Sequence, residues 1–304
     1  MSRTAVLFPG QGSQAVGMGR AFFEETDAGR EVFAHADAIL GFPLSRLCFV
    51  GPEEDLTRTE NAQPALFTVS AIAWRLLEAR GVHPVALAGH SLGEYSALAA
   101  AGAITFEDGL RAVRRRGELM AAVGDRVQGG MAAVLGLSSE EVAGICEEVS
   151  RHGVVEIANY NTPQQAVISG ERKAVDLAMA LAKDRGAKRV LPLKVAAPFH
   201  SSLMAPLAEE MGEVLRSIEV REPRVPVIAN VTAGYVRTPD EIREALTRQV
   251  AGSVRWTETV QRLAADGIEL TVEAGPGRVL TAMTPRIASG MRALDTAEAL
   301  AAEW

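Results

Sequence analysis

The chain has 304 residues, a net charge of −7, 48% hydrophobic residues and 23% charged residues. That is enough apolar material for a sizeable core in one domain or a domain with an insert, and the acidic balance argues against nucleic acid as the main partner. No apolar run approaches the roughly 18 residues of a membrane span, and the N-terminal apolar run is too short for a signal peptide, so a cytoplasmic protein without a membrane partner is expected. Cys48 and Cys146 lie far apart and read as unpaired thiols. They share no ligand spacing with the five histidines, so no metal is expected.

Along the chain, Thr4 to Phe8 reads as a buried strand ending at Pro9-Gly10. Helical periodicity runs from about Ala15 to Leu40. Gln63 to Arg80 is a second helix, with Pro64 expected in its first turn and Gly81 as its stop. Val85 to Ala88 is a strand, Glu94 to Gly102 a helix, and Thr105 to Met120 another helix. This alternation predicts an α/β domain with a mainly parallel sheet. From Gly129-Gly130 the pattern changes. Met131 to Leu135 reads as a strand, and Ser138 to Glu141 as a capped start of a helix reaching Arg151. Val154 to Ala158 and Gln165 to Ser169 follow as strands, joined by a turn at Asn161-Thr162-Pro163. Glu171 to Arg185 is a helix and Lys188 to Leu193 a strand. The order βαββαβ is the ferredoxin-like plan, expected as an insert over 128–194 in a larger domain of 1–127 and 195–304. The remainder reads as helix from Leu203 to Ile218, strand from Val225 to Asn230, helices at Asp240 to Gln249 and Thr257 to Asp266, and strand from Ile268 to Glu273.

Gly89-His90-Ser91-Leu92-Gly93 falls between strand and helix. This is the context a nucleophile elbow, G-x-S-x-G, requires; the plainer alternative is a serine acting as helix N-cap. A serine hydroxyl needs a base within reach. His90 is adjacent in sequence and should point elsewhere. His35, His83 and His152 fall on a helix surface, in a connection and in a turn. His200 follows Ala196-Ala197-Pro198-Phe199, where the chain re-enters the large domain, and is the candidate base. The acid of a hydrolase triad should lie between Ser91 and His200, yet Asp108, Asp125, Asp176 and Asp184 all read as caps or solvated positions. The base therefore has no acid, or a backbone carbonyl orients it. Leu92 N–H and the glycine-rich loop Pro9 to Gln14 can supply an oxyanion hole. That loop is neither a dinucleotide fingerprint nor a Walker loop, because a third glycine would fall at Ala15 and no lysine follows Gly17. In Arg114-Arg115-Arg116, Arg115 points away from the apolar stripe, while Arg114 or Arg116 can reach inward to bind a carboxylate.

Seven segments in this order resemble the malonyl-coenzyme A:acyl carrier protein transacylase family. They are Phe8 to Gln14, Gln63 to Ala65, Gly89 to Leu98, Arg116-Gly117, Asn159 to Pro163, Pro198 to Met204 and Glu273 to Gly277. The resemblance implies an α/β-hydrolase-like subdomain carrying the ferredoxin-like insert. It implies transfer of malonyl from malonyl-coenzyme A to the phosphopantetheine thiol of acyl carrier protein, with no bound cofactor and in the service of fatty acid synthesis. Ser91 would carry the acyl group and His200 would be the base, oriented by the backbone carbonyl of Gln249. Gln11 and Leu92 would form the oxyanion hole, and Arg116 would hold the malonyl carboxylate. Gln63, His90, Met120 and Phe199 would line the pocket, with Asn159 and Asn161 near the carrier arm. Phe199 before the histidine favours malonyl over methylmalonyl. Ala251-Gly252 departs from the family pattern, which would place an asparagine nearby. The resemblance also implies an acidic carrier, for which Lys183, Arg185, Lys188, Arg189 and Lys194 form a candidate basic patch; a solvated face is the plainer reading. The enzyme is taken as a monomer. Two rivals remain: a serine thioesterase on the same elbow, and a non-catalytic carrier-binding subunit.

Overall fold

The computed structural model describes residues 3–124, 126–195 and 197–304. Asp125 and Ala196, both part of the sequence reading, lie outside the described residues. The chain begins with β1 (Thr4–Phe8), followed by α1 (Arg20–Glu25), α2 (Asp27–Leu40), α3 (Leu44–Val50), α4 (Glu53–Thr57) and α5 (Thr59–Ala79). Next come β2 (Ala86–Gly89), α6 (Gly93–Ala100) and α7 (Phe106–Gly124). A second group holds β3 (Gly129–Leu135), α8 (Ser139–Val149), β4 (Val155–Thr162), β5 (Gln165–Glu171), α9 (Arg172–Asp184) and β6 (Arg189–Pro192). The chain then passes through α10 (Pro206–Ser217), β7 (Val227–Ile228), β8 (Tyr235–Val236), α11 (Pro239–Gln249) and α12 (Trp256–Ala265). It ends with β9 (Leu270–Glu273), α13 (Val279–Ile287), β10 (Arg292–Leu294) and α14 (Thr296–Ala301).

Six strands make one sheet in the order β10-β9-β1-β2-β7-β8. All of its neighbours pair in parallel except β7 and β8. The fully buried β1, β2 and β9 are the short apolar runs expected of strands covered on both faces. The other four strands form an antiparallel sheet in the order β4-β5-β3-β6, with its own apolar core around Val142, Ile145, Ile168 and Val175. The two sheets are fastened at β4: the Tyr160 N–H donates to the Val254 carbonyl at 2.9 Å, and the Val254 N–H to the Ala158 carbonyl at 2.8 Å.

Three local departures from the sequence reading have physical causes. Residues 15–40 form two helices, α1 and α2, because Thr26 stops the first in an extended conformation and caps the second, accepting from Gly29 N–H. Asn161 and Thr162 belong to β4, and only Pro163-Gln164 turn, so the hairpin is tighter than the asparagine-proline signal implied. Helix α5 starts at Thr59, which places Pro64 beyond the first turn. There it removes the N–H that would have bonded the Glu60 carbonyl. Arg114 on α7 donates to that carbonyl at 2.8 Å instead.

Candidate active site

The chain leaves β2 and turns sharply into α6 at Ser91, whose φ of 52° is the strained left-handed conformation of an elbow. The flanking glycines permit the close crossing. A Cβ on Gly89 would lie 1.9 Å from the Gly93 carbonyl, and one on Gly93 would lie 2.1 Å from the Phe8 carbonyl oxygen. The elbow is clamped from the turn after β7 and from α11. The Ser91 N–H donates to Asn230 Oδ1 at 2.7 Å, and the Ser91 carbonyl accepts from Gln249 Nε2 at 2.9 Å. Asn230 Nδ2 in turn donates to the Gly89 carbonyl at 2.6 Å.

Ser91 Oγ lies 2.7 Å from His200 Nε2. The other ring nitrogen, Nδ1, faces the carbonyls of Gln249 at 2.9 Å and Gly252 at 3.0 Å. Both partners only accept, so Nδ1 carries the proton and Nε2 presents a lone pair to the serine hydroxyl. No carboxylate bonds His200 among the described residues; Asp108 lies in the first turn of α7, and Asp176 and Asp184 lie exposed on α9. Burial, and next the positive charge of Arg116, lowers the His200 pKa to about 3.

Of the three consecutive arginines, Arg116 enters the interior, 2% exposed. Its NH1 donates to Gln63 Oε1 at 2.8 Å, and its NH2 to Gln249 Oε1 at 3.0 Å and to Ser91 Oγ at 3.2 Å. The guanidinium also faces the Tyr95 ring, 5.7 Å from its centroid, while its buried Nε has no partner among the described residues. Arg114 is held outside this site by Glu118, Asn61 and the Glu60 carbonyl. Arg115 is exposed against Glu118 and Glu210.

The remaining sequence-predicted residues surround this centre. Gln63 joins Arg116 to Met120, its Nε2 lying 3.5 Å from Met120 Sδ. His90 points toward the smaller sheet, where its Nε2 is 2.8 Å from Asn161 Oδ1. Asn159 is buried in β4 at the bridge to Val254, and Phe199 is buried beside His200. The backbone N–H groups of Gln11 and Leu92 bond nothing among the described residues. His35, His83 and His152 stand exposed or partly exposed, away from this cluster.

Two residues to which the sequence reading gave no role complete the network. Asn230 braces the elbow from the turn after β7. Glu94, on α6 and 1% exposed, accepts from Asn230 N–H at 3.0 Å and from Gln249 Nε2 at 2.7 Å. Burial pushes its carboxyl up to about 7 against the opposing pull of these hydrogen bonds and of Arg116. The arrangement places a hydroxyl, a neutral imidazole, free backbone donors and a buried guanidinium within reach of one bound group, the requirements of acyl transfer through a serine ester.

Residues 6–300 match the model of the acyl transferase domain family. The chain is 45% identical over 288 residues to the malonyl CoA-acyl carrier protein transacylase of Bacillus subtilis, covering 94% of this chain and 91% of the relative. It is 43% identical to the protein of that name from Escherichia coli K12, covering 99% of each. Among solved structures, the malonyl CoA-acyl carrier protein transacylase of Coxiella burnetii superposes with a TM-score of 0.96 at 38% identity, covering 99% of this chain and 97% of that one. A type II PKS acyl-carrier protein in complex with its malonyl-transacylase matches with a TM-score of 0.95 at 42% identity, covering 99% of each chain.

Proposed function

The chain belongs to the acyl transferase family, and from that premise we propose that it moves malonyl from malonyl-coenzyme A to the phosphopantetheine thiol of acyl carrier protein, through an ester on Ser91, to supply fatty acid synthesis. Arg116 carries this reading. Among the described residues this buried guanidinium bonds only neutral oxygens, Ser91 Oγ at 3.2 Å among them, and lacks the carboxylate its planar fork is shaped to take. A malonyl group brings that carboxylate; an acetyl group does not.

In the first half-reaction Ser91 Oγ attacks the thioester carbonyl carbon as His200 Nε2 takes the hydroxyl proton. The carbonyl oxygen becomes an oxyanion facing the unengaged N–H groups of Gln11 and Leu92. Collapse breaks the carbon–sulfur bond, and His200 returns the proton to the departing coenzyme A sulfur. In the second half-reaction the carrier thiol gives its proton to His200 and attacks the seryl ester, and Ser91 leaves with that proton restored. The Gln249 and Gly252 carbonyls hold Nδ1–H throughout, taking the orienting role a triad gives to a carboxylate. Gln63, His90, Met120 and Phe199 line the acyl pocket, and Asn159 and Asn161 stand on β4 toward the pantetheine arm. The same reading takes the enzyme as a cytoplasmic monomer without a bound cofactor. The large sheet is read as an α/β-hydrolase-like subdomain of 1–127 and 195–304, and the β4-β5-β3-β6 sheet with α8 and α9 as a ferredoxin-like insert of 128–194.

Arg116→Ala tests the reading. Loss of a buried charged partner costs roughly 3–5 kcal/mol, so kcat/KM with malonyl-coenzyme A should fall about 10²- to 10⁴-fold, far more than with acetyl-coenzyme A. Equal loss for both acyl groups overturns the assignment. Intact-mass measurement should also find a persistent malonyl adduct on Ser91 until a thiol is added; prompt release to water would instead favour the thioesterase reading.

A further inference from the structure

Glu94 is a buried acidic residue that the acyl-transfer chemistry does not use, yet the polar network of the site converges on it. Among the described residues its hydrogen-bond partners are the Asn230 N–H and the Gln249 side-chain amide. That amide has a fixed sense. Its oxygen accepts from Arg116 NH2 at 3.0 Å, and its nitrogen donates to Glu94 Oε2 at 2.7 Å. A flipped amide would set Nε2 against a guanidinium that only donates and Oε1 against a carboxylate that only accepts. The amide dipole therefore lies between cation and anion, and both of its bonds are charge-assisted. The three groups are 2% (Arg116), 0% (Gln249) and 1% (Glu94) exposed, so water screens the pair little.

Building on the reading that Arg116 receives the malonyl carboxylate, we propose that Glu94, acting through the Gln249 amide, is the resident counter-charge of Arg116 and competes with malonyl for it. Glu94 is then a positioning residue that sets how strongly the site prefers a carboxylated acyl group. With malonyl bound, two carboxylates share one guanidinium, so the bound state favours a protonated Glu94. A proton is taken up as malonyl binds wherever Glu94 is ionised beforehand. The charged and titratable groups that act on it are Arg116 on α7 and Tyr95 on its own helix, and the other titratable groups of the centre are His200 and His90. Of these, Tyr95 is pushed up to about 12 and His200 is held down at about 3. His90 is lowered as well, which leaves Glu94, near 7, to titrate in the neutral range.

The test compares KM for malonyl- and acetyl-coenzyme A in wild type, Glu94→Gln and Arg116→Ala, from about pH 6 to about pH 8.5. Glutamine keeps an acceptor for Asn230 and Gln249 and removes the charge. In wild type the malonyl-to-acetyl KM ratio should rise with pH as Glu94 ionises. In Glu94→Gln the ratio should be flat and, at the alkaline end, about five-fold lower than in wild type. A Glu94→Gln ratio equal to or above wild type overturns the inference, as does a wild-type ratio that does not move with pH. The wild-type profile decides even if the variant fails to fold. If Arg116→Ala leaves the ratio unchanged, the parent reading of Arg116 fails; if it raises the ratio while Glu94→Gln does not lower it, only the role of Glu94 fails.

Discussion

His200, the proposed base, is buried beside a fixed cation, and both features set its titration. An imidazolium in this cavity would be desolvated and would face Arg116, so the neutral form persists far below the ordinary value of 6.5, down to about 3. The sign follows directly: a base with a lowered pKa stays deprotonated, and therefore active, as pH falls. With acetyl-coenzyme A, whose acyl group leaves Arg116 unpaired, kcat/KM should show no acidic limb between about pH 5 and about pH 7. Malonyl neutralises Arg116, so the base pKa read from kcat with malonyl-coenzyme A should lie above that read from kcat/KM. Coincident limbs near 6.5 for both substrates would show that the imidazole does not feel Arg116. These residues were unequally legible in the sequence. Ser91 announces itself through its glycines, whose missing side chains the crossing of β2 and α6 demands. His200 emerges by elimination. Gln249 contributes a backbone carbonyl, which any residue type could supply, and only a family resemblance marks the position. Glu94 reads in sequence as an ordinary acidic residue in the first turn of a helix. Its burial arises because β7 lies beside β2 and brings Asn230 over the elbow, a pairing that no local pattern encodes.

The contact between α5 and α7 decides which arginine faces the site. Gly117 allows the approach: a Cβ there would stand 2.7 Å from Glu60 Cα and 2.8 Å from the Thr59 carbonyl oxygen. On one side of this contact Arg116 meets Gln63; on the other, Arg114 bonds the Glu60 carbonyl that Pro64 leaves without its helical donor. A proline in one helix is thus compensated by an arginine of the next, and the pair fixes the rotation of α7 that turns Arg116 inward. Arg114→Ala should cost about 1–2 kcal/mol in urea unfolding, because a half-buried carbonyl and the Asn61 side chain lose a charged donor. In a Pro64→Ala background the restored helical N–H takes over the Glu60 carbonyl, so the same substitution should cost roughly half as much. Strict additivity in this double-mutant cycle would disprove the compensation. Helical periodicity identified α5 and α7 because each spans several turns, but it could not choose between Arg114 and Arg116, which flank the apolar stripe on opposite sides. The short α3 and α4, of seven and five residues, and the two-residue β8 lie below the length at which a period can be counted, and they form through packing against α5 and β7.

Across the whole molecule, charge is distributed unevenly between the two sheets. The chain is acidic, with a net charge of −7, yet all four of its lysines, Lys173, Lys183, Lys188 and Lys194, fall between α9 and the loop after β6. All four are exposed, as is Arg189 on β6, and none of these five forms an ion pair among the described residues. Arg185, which the sequence grouped with them, is engaged by Glu148. The smaller sheet is fastened along β4 to Val254, in the loop between α11 and α12. Its opposite edge, β6, continues through Leu193 and Lys194 into the segment that delivers His200. A cationic edge one loop away from the base suits a carrier that must bring a thiol to the site while the rest of the surface repels acidic proteins. Steering of this kind acts on encounter, not chemistry, and weakens with salt. The triple variant Lys183→Glu, Lys188→Glu, Lys194→Glu should therefore lower kcat/KM for acyl carrier protein about 10-fold or more at low ionic strength. The deficit should shrink as salt is added, and the rate with free pantetheine as acceptor should hold, since a small neutral thiol needs no steering. A matching loss with pantetheine would place these lysines in folding or in coenzyme A binding instead. A salt-independent loss confined to the carrier would point to a specific contact in the docked complex.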